Sequence, residues 1–342
     1  MNTVYQQYLQ LKRQHPSVRA RDLAKMIGIS EAALLQARMA EGVQQLRADF
    51  PALLEALQGV GETKNISRNE YAVHQQTGSY HNLHIGPRAG LVLNPRQLDL
   101  RFFISEWQSA FYLQEQTAGG ERKSIQIFDD KGAAVLKIYT TGKTDLPAWQ
   151  ALITRFVLPH PQILSLNTTP AAEFSEQFDA QQVEQEWREM TDVHQFFRLL
   201  GRHNISRQQA FSAVSNDLAQ QVGPQALGQL LALVQQAGNE IMIFTANRGC
   251  TQIFTGVIGN ITSREGWLNI FNRDFTLHLQ DQQIAESWIT RKPTADGHVT
   301  SLELFAADGR QIIQLYGQRS EGNPEQRQWR EQIESLTGDL AV

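Results

Sequence analysis

The 342-residue chain carries 31 Lys and Arg against 35 Asp and Glu, a formal charge of −4, so it has no general attraction to nucleic acid or anionic lipid. Its 41% hydrophobic and 19% charged content is that of an ordinary globular protein, and its length suits two domains. One cysteine, Cys250, excludes an internal disulfide and suits a reducing compartment; the opening MNTVYQQYLQLKRQHP lacks the apolar core of a secretion signal. No uncharged apolar run approaches the ~20 residues of a membrane span, so a cytoplasmic location without membrane insertion is expected.

Helical periodicity runs through VYQQYLQLKRQ, RARDLAKMIG, SEAALLQARMAEGVQQL and FPALLEALQGV, with Ser30 placed to cap the helix that begins at Glu31. The junction GVGET (59–63) then gives way to short alternating or β-branched runs separated by turn residues. DDKG (129–132) predicts a hairpin turn and AGGE (118–121) the turn before it, with Gly supplying positive φ. A helix carrying Trp149 closes this half. Pro159, Pro161, Pro170 and a polar LNTTPAAEFSEQ stretch mark a linker, assigned to 161–180 between an N-terminal repeat at 1–160 and a C-terminal repeat at 181–342.

The second half repeats the plan. Helical signals in VEQEWREMTDVHQFFRLLGRH, SRQQAFSAVSNDLAQQV and PQALGQLLALVQQAG end at AGNE (237–240), strands follow with turns at ADGH (295–298) and ADGR (307–310), and a last helix carries Trp329. SIQIFDDKGAAVLKIY (124–139) aligns without a gap on SLELFAADGRQIIQLY (301–316), and LVLNPRQLDLRFF (91–103) lines up with LNIFNRDFTLHL (268–279). Such internal duplication, with helices grouped before strands, predicts an α+β fold of two similar halves with antiparallel sheets.

Residues present in only one copy are the candidates for a grafted site. Trp187, Met190, His194 and Phe197, spaced 3, 4 and 3 apart, fall on one face of a predicted helix. A lone His on such a stripe is ordinarily a satisfied core residue, but imidazole is also the commonest metal ligand. Aligning Ile29-Ser30 with Ile205-Ser206 sets His194 opposite Val18, so the shared scaffold does not need the imidazole. In LDLRFF, Leu98, Leu100 and Phe102 share one strand face and Asp99, Arg101 and Phe103 the other; the second copy has His278 where the first has Arg101. Arg101 is either a solvated or ring-stacked residue or the cationic partner of an anionic or oxygen-bearing ligand. Gln314 and Tyr316 face one way with Arg319 just beyond; with Lys292 and Arg207 they form a set of donors suited to carboxylates.

ARDLAKMIGISEAALLQAR (20–38) has helix-turn-helix spacing, but its second helix offers only Gln36 and then Arg38 to bases, so nucleic acid is not an expected partner. The two His of HNLHIGP (81–87) lack a nearby third ligand for zinc. CxxC, CxxCH, HExxH, GxxxxGK[ST] and GxSxG are absent.

ARDLAKMIGISEAAL, VGETKNISRNEYAVHQQTG, LDLRFF, EQEWREMTDVHQFFRLL, NEIMIFTANRGCTQIFTG, WITRKPT and QLYGQRSEG together resemble the HemS/ChuS/HmuS family of cytoplasmic haem-handling proteins, over nearly the whole chain. The resemblance implies haem b as ligand and substrate in a haem-uptake system, received from an inner-membrane haem importer and degraded oxidatively to release iron. It also implies that each of the two α+β halves is a large antiparallel β-sheet with flanking helices, and it implies an external electron donor and a monomer or homodimer. A non-catalytic carrier that passes haem to a separate oxygenase is the alternative. By the same resemblance His194 is the axial iron ligand and Arg101 the distal catalytic residue. Arg207, Lys292, Gln314, Tyr316 and Arg319 contact the haem and its propionates, Phe103, Phe197, Met242 and Phe244 wall the ring, and His74 marks a weaker second contact.

Overall fold

The computed structural model describes residues 3–39, 41–117, 119–170, 173–320 and 322–340, as two compact units. Unit 1 comprises Met1–Arg68, Val73–Thr169 and Ala246–Gln252; unit 2 comprises Asn69–Ala72, Pro170–Thr245 and Ile253–Val342.

In unit 1, helices α1 (Thr3–Gln14), α2 (Ala20–Ile27) and α3 (Glu31–Ala37) bury Tyr8, Leu23, Ala24 and Leu34 together. Ser30 caps α3 by accepting the Ala33 N–H at 3.2 Å. The helical run expected to reach Leu46 stops earlier. Gly42, at φ 77°, turns the chain, and Val43–Leu46 form strand β1, whose Val43 and Leu46 are buried. Next come α4 (Phe50–Leu57), β2 (Gly61–Arg68), β3 (Ala72–Gly78), β4 (Leu83–Ile85), β5 (Gly90–Val92), β6 (Asp99–Phe102), β7 (Trp107–Thr117), β8 (Gly120–Asp129), β9 (Ala134–Thr144) and α5 (Leu146–Phe156). Within this unit the strands β1-β7-β8-β9-β2-β3 are hydrogen-bonded antiparallel in that order, and β4, β5 and β6 pair antiparallel in series. The expected turns close with Gly120 and Gly132 at positive φ, though Ala118 of AGGE lies outside the described residues. One sheet face packs Ile125, Ile127, Leu136 and Ile138 against α4 and α5, whose Leu53, Leu57 and Trp149 are fully enclosed.

Unit 2 repeats this order with α6 (Ala180–Arg188), α7 (Gln195–His203), α8 (Arg207–Ala213), β10 (Ala219–Val222), α9 (Ala226–Ala237), β11 (Ile241–Ala246), β12 (Cys250–Gly256), β13 (Asn260–Arg264), β14 (Trp267–Phe271), β15 (Phe275–Leu279), β16 (Ile284–Thr294), β17 (Gly297–Ala306), β18 (Gln311–Gly317) and α10 (Arg327–Ser335). Strands β10-β16-β17-β18-β11 are likewise hydrogen-bonded antiparallel in that order, and β13, β14 and β15 pair antiparallel in series. Here too the expected helix over 206–222 ends early and its tail becomes a strand, β10. Leu302, Leu304, Ile313 and Leu315 face the core built on α9 and α10, with Leu230 and Trp329 fully buried. Period-2 geometry sends Ser301, Glu303 and Phe305 to the opposite face, where Phe305 meets Trp187, Phe196 and Phe211 of α6–α8. That second face carries the polar residues singled out in the sequence.

No helix is expected to cross a membrane, and none of the described helices is long and apolar enough to do so. The segment 246–252 is fastened into unit 1 by polar side chains: the buried Gln252 accepts the Ser67 N–H at 3.1 Å, and the Trp107 indole donates to the Gly249 carbonyl at 2.8 Å. Gln252→Leu strands a buried backbone donor, so it should cost about 1–3 kcal/mol in denaturant unfolding; a loss below about 0.5 kcal/mol would show that this bond does not anchor the segment.

Candidate ligand-binding site

The site-bearing face of unit 2 is fixed by strand register. Met242 pairs with Tyr316 and Phe244 with Gln314; on the next strand Ser301 pairs with Tyr316 and Glu303 with Gln314. Residues opposite one another across antiparallel strands present their side chains to the same face. Phe244 and Tyr316 meet edge to face, centroids 5.0 Å apart.

At the centre of this face is a carboxylate that the residue patterns did not single out. Glu303 is fully buried. The Arg207 guanidinium donates to it through Nε and Nη2, each at 2.8 Å, the Lys292 ammonium at 2.8 Å, Gln311 at 2.8 Å and Gln314 at 3.3 Å. Burial alone would raise this carboxyl, but Arg207 and Lys292 outweigh it and hold it down at about 2. Burial pushes the Lys292 ammonium down to about 8 against the upward pull of Glu303, so both partners are charged at neutral pH. Arg207 is delivered by the first turn of α8, where Ser206 and Gln209 make a reciprocal capping box. Its guanidinium lies 5.0 Å from the Phe196 ring centroid and 5.7 Å from that of Phe197.

Arg207, Lys292, Gln314 and Tyr316 are thus drawn into one cluster, but not to equal depth. Lys292 is sealed, its side chain 3% exposed, with its ammonium also donating to Thr290 at 2.6 Å and lying over Phe196. Gln314 and Tyr316 are half-buried and joined by a 3.3 Å bond from the phenol to the amide oxygen. Burial pushes the Tyr316 phenol up, so it stays a protonated donor. A lone Glu between leucines in SLELFA was the available signal for Glu303.

His194 does not lie on the expected helical face. α6 ends at Arg188 and α7 begins at Gln195, so Trp187 and Met190 are buried while the His194 side chain is 85% exposed and Phe197 projects outward. Side chains interrupt the helix by capturing backbone donors. The Gln195 amide oxygen takes the Thr191 N–H at 2.8 Å and the Asp192 N–H at 3.3 Å, and Asp192 takes the His194 N–H at 2.7 Å. Asp192 also contacts His194 Nδ1 at 2.7 Å. The backbone N–H of His194 is the leading cause holding the Asp192 carboxyl below its ordinary range, and the Arg319 charge adds a smaller pull in the same direction.

In unit 1, Arg101 lies on β6 with Leu98, Leu100 and Phe102 buried behind it, as the alternation predicts; it pairs with Asp99, and Phe103 is exposed. His74 is completely buried, and burial pushes its ring down to about 3, so it is neutral. The register position of Glu303 is taken here by Gln126 and that of Gln314 by Lys137, while Glu31 stands first in α3 as Arg207 does in α8. Glu31 pairs with Lys137 and Arg68, so each copy keeps a buried ion pair between helix start and sheet, with the signs exchanged.

The unit 2 face offers a nitrogen base on a braced loop, donors fitted to carboxylates, and Met242, Phe244 and Phe197 as apolar surface. This set suits a flat apolar ligand with acidic groups on one edge and a metal needing an axial donor.

The fold defines a tandem-duplicated α+β protein whose halves match one family model twice, the haemin-degrading HemS.ChuX domain, at residues 28–156 and 204–336. The chain belongs to that family. It is 57% identical to the hemin transport protein HmuS of Yersinia pestis and 56% identical to the hemin transport protein HemS of Yersinia enterocolitica, each alignment covering 99% of both chains. Among solved structures, the Escherichia coli O157:H7 heme degrading enzyme ChuS superposes with a TM-score of 0.93 at 55% identity, covering 97% of this chain and 98% of the other. Holo-PhuS, a heme-binding protein from Pseudomonas aeruginosa, gives 0.94 at 36% identity, with the same coverage.

Two cations over a buried carboxylate make acid stability a direct probe of the cluster. Because the folded carboxyl lies at about 2, below its ordinary 4.5, its contribution is complete above about 4.5 and is lost as pH falls through about 2. Glu303→Gln should flatten that acid limb in pH-dependent unfolding and cost about 3–5 kcal/mol at neutral pH by leaving buried charge unpaired. An unaltered acid limb would contradict the pairing.

Proposed function

We propose that this chain binds haem on the unit 2 face, with His194 Nε2 as the axial ligand to iron. The observation that carries this reading is an imidazole held on a braced loop with Nδ1 occupied by Asp192 and no partner for Nε2 among the described residues. Arg207, Gln314, Tyr316 and Arg319 receive the haem and its carboxylates, and Lys292 acts from behind through Glu303. Met242, Phe244 and Phe197 line the macrocycle. The assignment of Arg101 as distal residue and of Phe103 as a further wall rests on the family resemblance. Asp99 keeps that guanidinium from swinging freely, and its fixed charge suits a hydrogen-bond donor to a distal ligand. The ligand-binding repeat is assigned to 181–342, the other repeat to 1–160 and the linker to 161–180.

The same proposal extends to chemistry. The protein accepts haem from an inner-membrane importer in the cytoplasm and opens the ring oxidatively, releasing iron, with electrons from an external donor; it works as a monomer or homodimer. Support comes from the 55% identity to a heme degrading enzyme over nearly the full length. A second reading, a carrier without chemistry, is favoured by the names of the hemin transport relatives. The haem ring supplies the redox chemistry; the chain's residues supply ligation, orientation and exclusion of water.

Two measurements test these statements. His194→Ala should lose the wild-type ligand-field bands in a haem titration followed by optical absorption; unchanged bands refute the axial assignment. Adding reductant to the wild-type complex in air should bleach the Soret band and yield a linear tetrapyrrole with free iron, whereas a persistent Soret band selects the carrier.

A further inference from the structure

An exposed histidine ordinarily samples several rotamers and both neutral tautomers, and isolated surface ion pairs contribute little. The Thr191–Gln195 loop departs from that expectation. One oxygen of Asp192 accepts both the backbone N–H of His194 and a bond to its Nδ1, each at 2.7 Å. Gln195 pins the other end of the loop by accepting the N–H groups of Thr191 and Asp192 while its amide donates to the Thr191 hydroxyl at 3.3 Å. The ring is therefore tethered through its own backbone as well as its side chain. An ionised carboxylate has no proton to give, so the hydrogen in the Asp192–His194 contact belongs to the imidazole. The neutral ring is then protonated at Nδ1, and its lone pair is on Nε2.

We propose that Asp192 is the positioning residue for His194: its carboxylate fixes the Nδ1–H tautomer and the ring orientation so that Nε2 is the nitrogen presented to a metal. This rests on the haem reading for its purpose, though not for its geometry. Carboxylate partners of ligating histidines orient the ring and raise its basicity, and their loss ordinarily weakens metal binding by about 10–100-fold.

The decisive comparison uses the full chain and Asp192→Ala, a change at an exposed pair that should leave unfolding midpoints nearly unaltered. In ligand-free wild-type protein, nitrogen NMR of labelled histidine should show His194 protonated at Nδ1; the variant should move toward a mixture of tautomers. In the ferrous haem complex, resonance Raman should show the iron–imidazole stretching band at lower frequency in the variant, with haem affinity reduced roughly 10-fold. Asp192→Asn, which keeps an acceptor but removes the charge, should fall between the two. A wild-type His194 protonated mainly at Nε2, or an Asp192→Ala protein with unchanged tautomer, stretching band and affinity, overturns the proposal. Should His194→Ala show that haem is ligated elsewhere, the functional reading falls while the ligand-free NMR measurement still decides the role of Asp192.

Discussion

The arrangement of unit 2 depends on one buried carboxylate. Glu303 sits in the centre of a sheet with no exposure, a position that is affordable only because Arg207 and Lys292 converge on it. That convergence ties the start of α8 to β16 and β17, orders the amide of Gln314, and leaves the cluster with a net positive charge. That surplus charge favours an external carboxylate at the less deeply buried Arg207, with Lys292 sealed behind it, and the Phe196 ring of α7 lies against both cations.

His194 is held by a different logic. The cluster is buried and electrostatic; the histidine stands on an exposed loop whose stiffness comes from side chains that capture backbone donors. Breaking the helix between Arg188 and Gln195 lifts the imidazole away from the buried Trp187 and Met190 and leaves it facing outward. Exposure that costs little in the ligand-free protein becomes useful when an apolar ligand covers it.

Much of this was legible in the sequence. The gapless match of 124–139 to 301–316 disclosed the duplication, and Ser30, Gly132 and Gly309 marked a cap and two turns correctly because local backbone chemistry decides such positions. Strands β1 and β10 were missed: VQQL and AQQV place apolar residues three apart, which fits a helix as well as a bent strand, and only pairing with β7 and β16 resolves the choice. The exchange of residues 246–252 and 69–72 between the units has no local signature, since it depends on contacts far apart in the chain. Glu303 looked like the polar side of an alternating strand. Its burial appears only once the α8 arginine closes over it. Asp192, two residues before His194, was visible but had no meaning while the segment read as a continuous helix.

In the proposed function, a braced imidazole and a charge cluster anchored on Glu303 together receive haem. A crystal structure of the haem complex is the decisive measurement. The expected result is His194 Nε2 bonded to iron, Nδ1 still on Asp192, and haem carboxylates against Arg207 and Tyr316 with Glu303 unmoved beneath them. Iron ligated by another side chain, or haem seated away from the β11–β18 face, would contradict it.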